Sequence, residues 1–289
     1  MKINGKTKVC AVIGDPVDHS LSPVMHNAAF KELGLNIVYV AFSVKTEGLE
    51  DAILGAKSLG LLGLNVTMPH KHAIIQYLDE TDSTAKAIGA VNTILNERGR
   101  LFGYNTDGKG VMIALKENRI DSEEKKMLLL GAGGAAKAIA FQATQETDEL
   151  VILNRTEEKA KQLAELLNKT FGTKVTGRTL SVEVLKEELG NTDVLVNATS
   201  VGMSPDVNAS PVPADLLHSG LCVMDIIYNP LETKFLKDAK IVGAKVVSGL
   251  EMLLYQGAFA FEIWTNCPAP VDVMKKVALS KLAEQGVRP

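Results

Sequence analysis

The chain has 289 residues, of which 46% are apolar and 22% charged, with a formal net charge of -3. This is the balance of a soluble globular protein long enough for one large or two medium domains, and it offers no electrostatic footprint for nucleic acid. No apolar run reaches the ~18 residues a bilayer-spanning helix needs. The three cysteines, Cys10, Cys222 and Cys267, are scattered and lack CxxC spacing. That pattern argues against a disulfide framework or zinc site and for a reducing, cytoplasmic setting, and the opening residues do not resemble a secretion signal.

Strand-like apolar runs at residues 9–14, 37–44, 61–67 and 91–95 alternate with helical patterns at 23–33, 47–59 and 72–78. Such alternation predicts parallel strands joined by right-handed crossovers. A helix expected over 108–118 runs into the charged stretch Asp121-Ser122-Glu123-Glu124-Lys125-Lys126, which reads as a boundary. A second βαβ series starts at 127–130 and continues through a strand at 150–153, a helix at 157–167, and strands at 194–196 and 222–226. From Leu250 to Trp264 the pattern is apolar around most of the helix circumference, so this helix must be buried. The expected organisation is a first α/β lobe over 1–107, to which a helical segment 250–289 returns, and a second lobe over 108–249.

Three short polar clusters follow strand-like runs in the first lobe: Asn65-Val66-Thr67-Met68-Pro69-His70-Lys71, Gly89-Ala90-Val91-Asn92-Thr93 and Gly103-Tyr104-Asn105-Thr106-Asp107. Ligands bind at the ends of strands in open α/β sheets. An ammonium, a carboxylate, amides and hydroxyls gathered there suit a small substrate rich in hydroxyl groups. Ser20-Leu21-Ser22-Pro23 precedes a helical pattern, which makes Ser22 a helix cap and also a carboxylate receptor. Asp107 reads similarly as the cap of a helix starting near Gly108, and Gln256 breaks an otherwise apolar helix. His70 and His72 are two apart and share no helical face, so no metal site is expected.

In the second lobe, Gly131-Ala132-Gly133-Gly134-Ala135-Ala136 follows a strand directly and opens a helix. Glycines allow a tight turn and close approach to a pyrophosphate, whose charge is received by the helix N-terminal amides. At the end of the next strand, where an acidic residue would select NAD, the chain carries Asn154-Arg155-Thr156. An arginine there attracts the 2′-phosphate of NADP, and Thr156 is placed to cap the following helix.

Taken together, Ser20-Leu21-Ser22, Asn-Val-Thr-x-Pro-x-Lys, Gly-Ala-x-Asn-Thr, Gly-x-Asn-Thr-Asp, Gly-Ala-Gly-Gly-Ala, Asn-Arg-Thr, Tyr228-Asn229-Pro230 and Tyr255-Gln256-Gly257-Ala258 occur in the order of the shikimate dehydrogenase family. The chain resembles that family over nearly its whole length. The resemblance implies a two-lobed α/β enzyme: an N-terminal substrate domain, a doubly wound Rossmann-type NADP-binding domain, and C-terminal helices packing back on the first lobe. The implied reaction is NADPH-dependent reduction of 3-dehydroshikimate to shikimate, in the chorismate branch of aromatic amino acid biosynthesis. By motif position, Lys71 and Asp107 form the catalytic pair, Ser20, Ser22 and Tyr228 hold the carboxylate, and Thr67, Asn92 and Gln256 contact ring hydroxyls. Gly131, Ala132, Gly133, Gly134, Ala135, Asn154, Arg155, Thr156 and Lys159 face the cofactor, with Ile226 and Gly249 at its nicotinamide end. One departure is Ser83, where many members carry an acidic residue. A broader quinate/shikimate dehydrogenase shares these motifs, whereas a non-catalytic NADP-binding sensor on the same fold would not need both Lys71 and Asp107. The only partners implied are the small-molecule substrate and cofactor, without nucleic acid or membrane, in a monomer or homodimer.

Overall fold

The computed structural model describes residues 2–284, and residues 285–289 of the returning segment lie outside the described residues. Two units emerge among the described residues: 2–106 together with 256–284, and Asp107–Tyr255.

The first unit begins β1 (Lys8–Gly14), α1 (Ser22–Glu32), β2 (Ile37–Ser43), α2 (Leu49–Ser58) and β3 (Gly63–Val66). It continues with β4 (Glu80–Thr81), α3 (Ser83–Ile88), β5 (Thr93–Glu97) and β6 (Arg100–Tyr104). The strands form one sheet in the order β2-β1-β3-β5-β6-β4. β1 is parallel to β2 and β3, as the alternation predicts. β5, however, runs antiparallel to both β3 and β6, so the sheet is mixed and not all parallel. A two-residue turn, Arg98-Gly99, joins β5 to β6 with φ of 52° and 86°. Two positive φ values in succession match the twist of a tight hairpin and force the antiparallel pair. The helix expected at 72–78 is a single 3₁₀ stretch, Ala73–Tyr77, since so short a segment cannot repay α-helix nucleation.

The core of this unit on one sheet face joins Ala11, Ile13, Ile53, Leu64, Val66, Ile74, Ile94 and Leu101. The C-terminal helices supply further packing within the same unit. The Trp264 indole N–H donates to the Ile94 carbonyl at 2.9 Å. It lies so close to the backbone that a Cβ on Gly63 would sit 2.1 Å from its Nε1. The returning helical segment thus packs on the first unit, as expected.

The second unit comprises α4 (Asp107–Glu117), β7 (Lys126–Leu130), α5 (Gly134–Ala143), β8 (Glu149–Asn154), α6 (Glu157–Phe171) and β9 (Val175–Thr179). It proceeds through α7 (Val182–Leu189), β10 (Val194–Asn197), β11 (Cys222–Asp225), α8 (Lys234–Ile241) and β12 (Lys245–Val247). α9 (Gly249–Thr265) carries the chain from the second unit into the first, where α10 (Val271–Glu284) follows. The strand order is β12-β11-β10-β7-β8-β9, every pair parallel. This is the doubly wound order with the first strand, β7, in the middle. The direction of winding reverses there, leaving a crevice at the carboxyl ends of β7 and β10. No helix among the described residues is long and apolar enough to cross a membrane.

Candidate functional site

In the first unit, the Asn65–Lys71 and Gly89–Thr93 clusters and the pair Asn105–Thr106 converge beyond the end of β3. The Val91 amide donates to the Lys71 carbonyl at 2.8 Å and the Val66 amide to the Asn92 carbonyl at 2.9 Å. Asn105 Nδ2 donates to the Ala90 carbonyl at 3.0 Å. Backbone pairing thus places Thr67 and Lys71, neither of them fully buried, on the same loop edge as Asn92. His70 and His72 are held by carbonyls, Nε2 to Val44 and Nδ1 to Gly89, each at 2.6 Å. Beside Ser83, Asp82 caps α3 by accepting the Ala85 amide at 2.7 Å.

Asn92, almost fully buried, is the centre of a directional lattice. Its Oδ1 accepts the Thr106 amide at 2.9 Å and the Thr93 hydroxyl at 3.0 Å. Its Nδ2 donates to Thr106 Oγ1 at 3.0 Å and to Gln256 Oε1 at 3.5 Å. The Thr106 hydroxyl also reaches the Gln256 carbonyl at 3.1 Å. Asn65 Nδ2 donates to the Asn92 carbonyl and to Thr93 Oγ1, both at 3.2 Å, which turns Asn65 Oδ1 toward the Tyr39 hydroxyl at 2.6 Å. A backbone carbonyl only accepts, so the Asn65 amide has one orientation and Tyr39 must be the donor.

Tyr39 was not among the expected residues. Within an apolar strand it reads as core, yet a buried phenol needs a polar partner, and that is the signal it carries. Burial raises its pKa well above the ordinary phenol value, while the neighbouring Ser22 hydroxyl pulls it down. Ser22 therefore faces inward and does not cap α1. The N-cap position belongs to Leu21, which has helical dihedrals and no side-chain cap bond. Ser20 Oγ instead accepts the Ser22 amide at 3.3 Å. Behind Tyr39 lies His26, stacked on it with ring centroids 4.5 Å apart. Both nitrogens of this buried imidazole lack a protein partner, and burial lowers its pKa to about 3.

In the second unit, α4 begins at Asp107 itself, which is buried as the first helical residue and does not precede the helix as a cap. The turn after β7 is one that a side chain at Gly131 would obstruct. Gly131 has φ +113°, and a Cβ there would lie 2.9 Å from the Ala198 carbonyl of the adjacent loop. Ala132 follows, Gly133 occupies the N-cap of α5 without a side-chain bond, and Gly134 and Ala135 open the helix. Its first amides are therefore not taken by a side-chain cap. Arg155 and Lys159 are exposed beyond β8, and Asn154 Nδ2 bridges to the Thr156 carbonyl at 2.8 Å. Thr156 stands at the N-cap of α6, but its side chain makes no cap bond, contrary to expectation. Its ψ of 98° departs from the usual cap geometry, which places the hydroxyl away from the helix amides. Tyr228 leaves the turn after β11 with its pKa raised by burial. Gly249, at the start of α9, is pressed on that turn: a Cβ would be 2.3 Å from the Ile226 carbonyl oxygen.

Three family descriptions match the chain in order. Residues 12–94 match the shikimate dehydrogenase substrate binding domain, 113–214 shikimate/quinate 5-dehydrogenase, and 249–279 the shikimate 5′-dehydrogenase C-terminal domain. The shikimate dehydrogenase (NADP(+)) of Methanocaldococcus jannaschii is 50% identical over 287 residues, covering 98% of this chain and all of its own. A crystal structure of a shikimate dehydrogenase in complex with NADP+ superposes with TM-score 0.91 at 48% identity, covering 97% of each chain. The shikimate 5-dehydrogenase of Listeria monocytogenes, solved with shikimate and NAD, gives TM-score 0.91 at 42% identity over 96% of this chain and 98% of its own.

Proposed function

Since this chain belongs to the shikimate dehydrogenase family, we propose that it catalyses the reversible, NADP-dependent reduction of 3-dehydroshikimate to shikimate, a step toward the aromatic amino acids. The observation that carries the reading is 50% identity, over 98% of the chain, to a relative named for that activity. Both Lys71 and Asp107 stand at their motif positions.

The cofactor reading is supported by the residues themselves. A turn with room only for glycine, an α5 N-terminus without a side-chain cap, and a cation in place of an acid after β8 all fit a dinucleotide with a 2′-phosphate. NADP when bound supplies or accepts the hydride. Arg155, with Asn154, Thr156 and Lys159, faces the 2′-phosphate end. Gly131, Ala132, Gly133, Gly134 and Ala135 face the pyrophosphate, and Ile226 and Gly249 the nicotinamide end.

Reducing a ketone leaves an oxyanion that must be protonated. Lys71 as ammonium stabilises the developing charge and delivers the proton, with Asp107 as the second member of the catalytic pair. In the oxidative direction the neutral amine is the base. Ser20, Ser22 and Tyr228 receive the carboxylate, and Thr67, Asn92 and Gln256 the ring hydroxyls. The lattice around Asn92 supports this assignment, because it fixes the orientation of each amide before a substrate arrives. With its cysteines unpaired, the chain is assigned to a reducing, cytoplasmic setting. The test is absorbance at 340 nm with shikimate or quinate against NADP or NAD. Rapid reduction of NADP by shikimate, with quinate or NAD poor, is the expected result. Preference for quinate, or no turnover with either acid, would overturn the reading.

A further inference from the structure

Asp225, the last residue of β11, is wholly buried and has no cationic partner among the described residues. A buried carboxylate without a counter-ion is costly, and it persists where its acceptor oxygens are used. Three neutral donors from three different elements surround it. The Thr233 hydroxyl, at the N-cap of α8, donates to Oδ2 at 2.7 Å. The Ile227 amide and Asn197 Nδ2, at the end of β10, each donate to Oδ1 at 3.1 Å. Asn197 is itself fixed, because its Oδ1 accepts the Thr199 amide at 3.0 Å and hydroxyl at 2.7 Å. Burial raises the Asp225 pKa to about 6 against the pull of these donors.

The Ile227 bond gives the cluster its consequence. It anchors the turn that leaves β11, against which the α9 start at Gly249 is also pressed. Tyr228 emerges one residue beyond that anchor. We propose that Asp225 is a positioning residue for the reaction: by gripping the Ile227 amide from the end of the sheet, it fixes the Ile226–Tyr228 turn and so aims the Tyr228 hydroxyl at the substrate carboxylate. This rests on the reading of the preceding subsection. Asparagine has the same shape but lacks the charge that strengthens the bonds Asp225 accepts, so the grip on the Ile227 amide weakens.

The test is a double-mutant cycle in the purified protein, with shikimate KM, NADP affinity by titration and thermal unfolding measured together. Asp225→Asn and Tyr228→Phe should each raise the shikimate KM about three- to tenfold, the scale of one hydrogen bond. The double variant should be no worse than the larger single effect, and any change in NADP affinity, through Ile226 of the same turn, should be smaller than the change in shikimate KM. Residues acting through one another are non-additive, whereas a general loss of stability would multiply with the Tyr228 effect. Multiplicative KM effects, or an unchanged KM in Asp225→Asn, would overturn the proposal. If Asp225→Asn fails to fold, Thr233→Val, which removes the donor to Oδ2, takes its place under the same criteria. A wild-type protein inert on shikimate would overturn the functional reading and this inference with it. An active wild type with multiplicative variants overturns the inference alone.

Discussion

Asn92 and Thr106 hold each other by two opposed hydrogen bonds. The Thr106 amide donates to Asn92 Oδ1 at 2.9 Å while Asn92 Nδ2 donates to Thr106 Oγ1 at 3.0 Å. The pair ties the end of β6 to the β5 approach, and Gln256 of α9 joins it through both its side chain and its carbonyl. Asn92→Ala would leave the buried Thr106 amide and Thr93 hydroxyl without this acceptor. An orphaned buried polar group costs about 1–3 kcal/mol. The expected loss is about 2–4 kcal/mol in urea unfolding, and a variant within 0.5 kcal/mol of wild type would show that the lattice is replaced by water.

Gly63 and Trp264 make a second checkable contact. A methyl group at Gly63 would meet the indole at 2.1 Å and displace it from the Ile94 carbonyl. Trp264 is the chain's one tryptophan, so its fluorescence reports the site alone. Gly63→Ala should shift the emission to the red and cost about 1–3 kcal/mol, the scale of overpacking a core. Unchanged emission would mean that the sheet yields instead of the indole.

His26 gives a pH dependence whose sign follows from its burial. Its pKa falls from an ordinary 6.5 to about 3 in the folded protein. Below pH 6.5 the unfolded chain therefore takes a proton that the folded chain refuses. Stability is unaffected above that pH and falls as pH drops toward 3, by about 1.4 kcal/mol per unit. His26→Phe keeps an aromatic ring against Tyr39 and has nothing to titrate. Between pH 7 and 5, wild type should lose about 2 kcal/mol more than His26→Phe in urea unfolding. Parallel pH slopes would show that the imidazole accepts its proton in the folded state.

The legible and illegible parts of this fold divide by how local their causes are. Apolar periodicity anticipates the four central strands of the second sheet, β7, β8, β10 and β11, because buried parallel strands are apolar runs such as Met127–Leu130, whereas the edge strands β9 (Val175–Thr179) and β12 (Lys245–Val247) interleave polar residues or are too short to announce themselves. The antiparallel entry of β5 was not legible. Strand direction depends on which neighbour a strand meets, and the Arg98-Gly99 turn that settles it has no asparagine or aspartate to mark it. Ser22 and Thr156 have the side chains of helix caps, yet backbone dihedrals at the entry decide whether a cap forms, and neither makes the bond. Motifs placed Asn92, Thr106 and Gln256 on the page as separate fragments, while their joining is a property of the folded chain. Tyr39, His26 and Asp225 stayed hidden because strand and helix patterns treat each simply as an inward-facing residue.

Arg155 is exposed at the end of β8 where an acid would favour NAD. Arg155→Asp should weaken NADP binding by about 1.5–3 kcal/mol, the worth of a charge-assisted hydrogen bond, and improve the use of NAD. An unchanged NADP KM would leave Arg155 as a solvated side chain.

Lys71 and Asp107 carry the strongest expectation. If the ammonium protonates the reacting oxygen, Lys71→Ala should cut kcat by about 10²–10⁴, the usual worth of positioned acid–base catalysis. NADP affinity should persist, because the residues proposed to face the cofactor belong to the second unit and Lys71 to the first. Lys71→Met, which preserves bulk without charge, should fall as far. Asp107→Ala should be comparably damaging, and the double variant little worse than either single, since groups that act as one are non-additive. Thermal unfolding measured alongside separates chemistry from folding, which matters for Asp107 because it is buried at the start of α4. Additive losses would assign the two residues independent roles. A Lys71→Ala enzyme with near wild-type kcat would remove the lysine from the mechanism altogether.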